Sequence, residues 1–597
     1  MSRKSKRTPP VRKQRPAAVK RGGLQSRWVL PVICCLCLAA AFGIYRSTLD
    51  NPFVYDDKVT VEKNEAIRDP GNIKVLVLRD VFRPVVNLSY AMDYRVSQLD
   101  PQAYHRTNLI LHLLNVLLAI GLSRRVAQVA LERVGSEGDA APTVVASVVG
   151  LLMAVHPMMT ESVSYVSGRS ELLSLFFLLI SFFGFEAFLA RRKYRLLGLV
   201  LGFGAFVLSL ASKESAAMLP FLLLAWDRLI LGPEASGARR RLMTFHLPFV
   251  TMISIAGVVR VAVFVFIEHG VHLASFWENL RVEAVVVWRY VGLMLVPVAQ
   301  SLVHDVRPPS GPFDLGVLAA IFALVGACWV MWLVRRKMPL FVFGLTWFLF
   351  LLAPSHLIPL SEAMAEHRTY GAAFGFFLVV GALVGPWIAA AVERGAWQKV
   401  GVLAVVVIVI ATLASLTVRR NRVWGDEVSL WADAATKAPS TWAAQYAYGE
   451  ALHRAGRNSE AIEVYRKAAG LMPEMVNAHL NLGICLAETG RHQEAHAEFS
   501  TAIALEPHNP KGYNNLGMLA LMMNQPRTAE SRFREALGRD ADNLQARLML
   551  VRLYRTALPA PARAFELCLD IEEIVPGRPD IRKCIEESGA LLQPPQK

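Results

Sequence analysis

Apolar and polar positions divide this chain into two stretches with different rhythms. Up to residue 422, apolar runs alternate with short polar connections. The runs lie near 28–45, 107–122, 143–159, 171–190, 195–211, 214–231, 245–266, 281–300, 314–334, 339–353, 370–391 and 400–418. A helix needs about 20 residues to cross the hydrocarbon core of a bilayer, and several of these twelve runs are shorter, so their boundaries are open. The pattern predicts a polytopic bundle of membrane helices. From Trp442 the rhythm changes to a step of 34 residues.

Gly449, Gly483 and Gly517 keep that step, as do Ala461, Ala495 and Ala529. Tyr465, Phe499 and Phe533 follow in the same register, then Ala468, Ala502 and Ala536. Pro473 and Pro507 close two units, and Ala541 takes the third closing position. This is the tetratricopeptide pattern, in which small residues let paired helices approach and aromatic rings fill the gap between them. Units start at 442, 476, 510 and 544, and the rest of the chain, to about Leu592, reads as a capping helix. The fold class is therefore all-α, a membrane bundle followed by an α-solenoid. Such a solenoid offers a concave face to a peptide or protein and carries no chemistry of its own.

Composition changes the picture in one respect. The chain is 54% hydrophobic and 19% charged, against about 25% charged in soluble domains, which excludes a purely water-soluble protein. Of the net charge of +16, ten Lys and Arg with no acid fall in residues 1–27. That basic stretch abuts the first apolar run, so it reads as a cytoplasmic topology signal and not as a nucleic-acid surface. No small-residue cleavage site follows the run, which predicts an uncleaved anchor. Cys34, Cys35, Cys37 and Cys328 lie in apolar runs, and the spacing leaves a disulfide between Cys568 and Cys584 open.

From a cytoplasmic N-terminus, Arg124–Arg125, Arg191–Lys193 and Arg239–Arg241 fall on inner connections, as the positive-inside rule asks. If the run 281–300 also crossed, Arg335–Lys337 would fall outside. That run holds Arg281, Glu283 and Arg289 beside Trp288 and Tyr290, and buried charge is costly in lipid while aromatics favour the interface. It is therefore expected to lie at the outer surface, giving eleven crossings and external repeats. Arg419, Arg420 and Arg422 then end up outside, against the rule. The expected divisions are a basic tail over 1–27, a membrane domain over 28–422 and repeats over 423–597.

On this topology the outer connections share a mixed set of ionisable residues. Asp56 and Asp57 form an acid pair just after the first run; like charges in a partly dry site resist joint ionisation, and this can supply a general base. Arg83, Arg169, Lys213 and Arg368 are cations able to hold a phosphate. His156, Glu161, Glu214 and Glu366 stand in the same short segments: His156-Pro-Met-Met-Thr-Glu161, Gly168-Arg169, Ser212-Lys213-Glu214 and Glu366-His-Arg-Thr-Tyr370. No metal-ligating set is expected among them.

Taken in order, these segments and the repeats resemble the transmembrane-and-tetratricopeptide O-mannosyltransferases and their bacterial relatives, of the GT-C class of membrane glycosyltransferases. The resemblance runs from about Asn51 to the C-terminus. It implies transfer of a sugar from a polyprenyl-phosphate donor to an acceptor hydroxyl, with inversion, at the outer membrane face. Asp56 or Asp57 would be the base, with Asp57 favoured. Arg83, Arg169, Lys213 and Arg368 would steady the phosphate charge. Glu161, Glu214 and Glu366 would orient those cations, and His156 would bind sugar or phosphate. No separate cofactor is implied. The repeats would recruit a protein acceptor, and the membrane would be a bacterial inner membrane, or that of the endoplasmic reticulum in a eukaryote. A competing reading is a non-catalytic membrane scaffold that assembles an envelope complex through its repeats. The focus of ionisable residues at one edge of the bundle argues against it.

Overall fold

The computed structural model describes residues 25–135, 140–190, 193–235, 237–263, 273–306, 311, 313–357, 362–394 and 396–592. Most of the basic tail, Arg191 and Arg192 lie outside the described residues. Helices account for the regular structure throughout, and no strand occurs among the described residues.

Each apolar run of the sequence is helical over most of its described residues. Among the described residues seven helices are long and apolar enough to cross a bilayer, or eight when the bent pair Ala140–Val155 and Pro157–Ser164 counts as one span. Arg195–Leu210 and Pro339–Ser355 are shorter apolar helices. The run 214–231 is divided into a 3-10 turn, a short helix Leu219–Ala225 and a π turn. The helix Leu273–Leu295, which carries the run 281–300, is not among the candidate spans.

Small residues set the closest crossings. A Cβ on Gly184 would stand 2.6 Å from the backbone nitrogen of Gly202, and one on Gly344 would stand 2.7 Å from the carbonyl oxygen of Gly375. Lipid gives helices no hydrophobic reason to associate, so backbone-to-backbone approach of this kind is what membrane bundles use. The solenoid uses the same device with rings. Gly449, Gly483 and Gly517 lie against Tyr465, Phe499 and Phe533, at 2.6, 2.5 and 2.6 Å from a built Cβ. Three pairs of helices close on that contact, from Trp442–Arg454 with Asn458–Leu471 to Pro510–Met522 with Pro526–Leu537, and Leu544–Thr556 with Pro561–Ile574 follows with Val551 in the glycine position. The helix Pro579–Ala590 ends the stack, tied to the preceding helix by a Cys568–Cys584 disulfide.

One further helix, Glu427–Lys437, precedes the first of these pairs. Asp426 caps it by accepting from the Ser429 N–H at 2.9 Å. Its Trp431, Ala434 and closing Pro439 stand 34 residues before Tyr465, Ala468 and Pro473. It is therefore the second helix of an additional, incomplete repeat, outside the units that start at 442, 476, 510 and 544. The long helix Ala396–Val423 leads into it, and the solenoid begins directly on the polar end of the bundle.

Candidate functional site

The acid pair sits on a turn that separates its two members. Tyr55 has φ +52°, a left-handed conformation that costs a non-glycine residue of order 1–3 kcal/mol and persists only where surroundings fix it. Three contacts fix it: its hydroxyl donates to Glu362 Oε1 at 2.7 Å, its ring stacks on Tyr165 at 6.0 Å, and its ring meets Trp431 edge-on at 5.4 Å.

Beyond that turn the two aspartates diverge. Asp57 is fully buried; its Oδ1 accepts from the Ser167 N–H at 2.7 Å and from the Ser167 hydroxyl at 2.8 Å, and its Oδ2 from the Val54 N–H at 3.4 Å. Burial still outweighs those donors and pushes its pKa up to about 7. Asp56 is exposed, but partial loss of water raises its carboxyl above the ordinary value. The Tyr165 hydroxyl and His367 limit the rise.

Facing this turn, His367 Nδ1 lies 2.5 Å from Glu161 Oε1. Arg368 is half-buried, and its hydrogen bonds reach only carbonyl oxygens, those of Glu362 at 2.9 Å and Ala363 at 3.5 Å. It thus keeps charge available for an anion. His367 was not singled out from the sequence, although it lies between two residues that were.

The other expected cations meet protein partners. Arg169 is fully buried: it pairs with Asp93 at 2.6 Å, donates to Asn108 Oδ1, Ser89 Oγ and the Tyr104 carbonyl, and stacks over Tyr90 at 4.7 Å. Its donors are spent on holding the connection over 160–170 to neighbouring segments. Lys213 is buried against Glu171, while the adjacent Glu214 takes Arg83 at 3.5 Å in a half-exposed pair. Glu214 therefore orients Arg83, and Lys213 is held from a different helix.

His156 is a local brace. Its Nδ1 accepts from the Met158 N–H at 3.2 Å, so its Nε2 donates to the Met294 carbonyl at 3.1 Å. Glu366 is fully buried. It accepts from the Ser301 N–H at 2.6 Å and from Gln300 Nε2 at 2.9 Å, and stands 3.1 Å from His304 Nε2. Arg420 lies 4.0 Å from it and pairs with Asp433 of the helix Glu427–Lys437 at 2.7 Å. Arg420, one of the three arginines that run against the positive-inside rule, is thus a buried ion-pair partner, 4% exposed. Lys437 closes the ring, pairing with Asp433 at 2.6 Å and donating to the Gln300 carbonyl. Among the described residues no three His, Cys, Asp or Glu side chains converge as a metal would need.

The acid turn and the solenoid therefore share one core. Val54, Tyr165, Leu302, Trp424, Leu430, Trp431 and Ala434 pack together, and Lys58 pairs with Glu427 at 2.6 Å. The repeats lie on the same side of the bundle as Asp56.

The tetratricopeptide repeat family matches over residues 432–519 and again over 514–579. Protein O-mannosyl-transferase Tmtc3 of Drosophila melanogaster is 31% identical over 175 residues, 25% of this chain and 18% of that protein. The human protein O-mannosyl-transferase TMTC3 is 29% identical over 163 residues, 25% of this chain and 16% of that protein. This chain thus spans about a fifth of the length of such relatives. A protein O-mannosyl-transferase of Caenorhabditis elegans is 22% identical over 469 residues, 72% of this chain and 61% of that protein. By its repeats and by a match over most of its length, the chain is similar to the transmembrane-and-tetratricopeptide protein O-mannosyl-transferases, the family that its sequence motifs resemble.

Proposed function

We propose that this chain is a membrane glycosyltransferase that moves a sugar from a polyprenyl-phosphate donor to a protein hydroxyl, with Asp56 as general base. The observation that carries this reading is the exposed Asp56 carboxylate on a strained turn, close to His367 and with the first repeat helix packed against the same turn. The acceptor oxygen attacks the anomeric carbon and gives its proton to Asp56. The bond from that carbon to the phosphate oxygen breaks, and polyprenyl phosphate leaves with the electron pair. Inversion follows from this single displacement. Arg368 meets the growing phosphate charge, the electrostatic part of catalysis. The Glu161–His367 pair, next to Asp56, contacts the sugar.

Of the expected acid pair, Asp57 sets the turn and Asp56 acts. Arg169, Glu366 and the buried Lys213–Glu171 pair hold the segments in place, and Arg83 is held half-exposed by Glu214. The buried Cys568–Cys584 disulfide supports an oxidising compartment for the repeats. In this reading the chain has a cytoplasmic tail over 1–27, a membrane part over 28–422 in a bacterial inner membrane and repeats over 423–597 on the outer side. The repeats recruit the acceptor. Purified full-length protein, given a panel of polyprenyl-phosphate sugars and an acceptor peptide, is expected to transfer sugar from one of them. No transfer across the panel would favour the scaffold reading.

A further inference from the structure

In each complete repeat an aromatic ring of the second helix fits against a glycine of the first: Tyr465 on Gly449, Phe499 on Gly483 and Phe533 on Gly517. Trp431 occupies that ring position in the helix Glu427–Lys437, one 34-residue step earlier. No first helix of a repeat pairs with it. The ring meets Tyr55 instead, edge-on at 5.4 Å, with Val54 in the same core. The neighbouring register position gives an independent sign of the exchange. Ala461, Ala495 and Ala529 are fully buried where the two helices of a repeat touch, but the matching position here is Glu427. Its carboxylate bridges Lys58, three residues beyond Tyr55, at 2.6 Å and Arg454 of the next helix at 3.0 Å.

We infer that the acid turn replaces the missing first helix of this repeat, and that Trp431 is a positioning residue for the transfer reaction, holding Tyr55 in its left-handed conformation so that Asp56 faces the acceptor. This rests on the proposed role of Asp56. Trp431 touches neither substrate, so it acts through Tyr55. A base displaced by about 1 Å costs up to 100-fold in rate without weakening the binding of a remote group. The role is therefore read in kcat and not in donor KM.

Two readouts on the full-length protein in detergent separate this inference from the functional reading beneath it. The first is amide hydrogen exchange over residues 51–58, which needs no activity. Trp431→Ala is expected to speed exchange there at least about tenfold, whereas Phe533→Ala, at the same register position three 34-residue steps further on, leaves it unchanged. The second is kinetics with the donor that the wild type uses. Trp431→Ala is expected to lower kcat about 10- to 100-fold with donor KM within about twofold, and Trp431→Phe, which installs the ring found at Phe499 and Phe533, is expected to restore most of kcat. Unchanged exchange at 51–58 in Trp431→Ala, or an equal rise in Phe533→Ala, overturns the docking. Faster exchange with normal kcat, or loss expressed in donor KM alone, overturns the positioning role. If the wild type transfers no sugar at all, the functional reading fails by itself, and with it the positioning role, while the exchange result still decides the docking.

Discussion

Asp57 links its protonation to folding. Its carboxyl titrates near 3.8 in the unfolded chain and near 7 in the fold, so between those values the folded state holds more protons. The stability it contributes is full below about pH 4 and is lost as pH rises through about 7. Asn at this position can still accept from Ser167 and carries no charge to bury. Asp57→Asn should therefore gain unfolding temperature relative to the wild type as pH rises from about 5 to 7, and level off above; parallel curves would mean that Asp57 is not the buried, protonated member of the pair. Two arginines separate in the same way. Arg169→Ala leaves Asp93 and Asn108 without their partner and should cost about 3–5 kcal/mol of stability, seen as loss of folded protein. Arg368→Ala removes bonds to carbonyls only and should keep the fold while raising donor KM about tenfold or more; the reverse pattern would exchange their roles. The sequence displayed both aspartates and all four cations, but their division of labour depends on distant partners. Ser167 is 110 residues from Asp57, and nothing in the local motif says which aspartate it will cover.

At the scale of elements, the complete repeats were legible because their glycines and rings recur in register and meet face to face. Gly483→Leu drives a side chain into the Phe499 ring, which already stands 2.5 Å from a built Cβ, and should break the solenoid while the membrane bundle stays folded. Acceptor modification should fall while hydrolysis of the lipid donor persists; equal loss of both would make the distal repeats part of the active fold instead of a recruiting surface. The helix Glu427–Lys437 escaped the sequence reading because its Gly partner is absent and Glu427 stands where the other units have Ala. Both departures make sense only once the membrane part is seen to supply its packing partner. The broken run 214–231 was legible as apolar, but not as three short pieces.

The whole molecule is a bundle whose polar end and solenoid form one body, joined by Trp424 and Trp431 packing and by the ring Glu366, Arg420, Asp433, Lys437 and Gln300. Charge along the sequence suggested which side each connection takes, and the contact of the repeats with the acid turn agrees with the two sharing a side. Cysteines introduced at Asn509 and at Lys337 test its orientation in intact cells. A membrane-impermeant thiol reagent should reach the first and not the second, and labelling of Lys337 from outside would invert the topology. The central claim is that this body exists to hold the Asp56 carboxylate against an acceptor hydroxyl. It is tested most directly by the turnover of Asp56→Asn beside the wild type and Asp57→Asn, with a polyprenyl-phosphate sugar and matched amounts of folded protein. Loss of a general base costs about 10²–10⁴ in rate, roughly 3–5 kcal/mol of barrier. Asp56→Asn should show that loss with donor affinity nearly unchanged, and Asp57→Asn should keep most of its activity; near-normal transfer by Asp56→Asn would contradict the account.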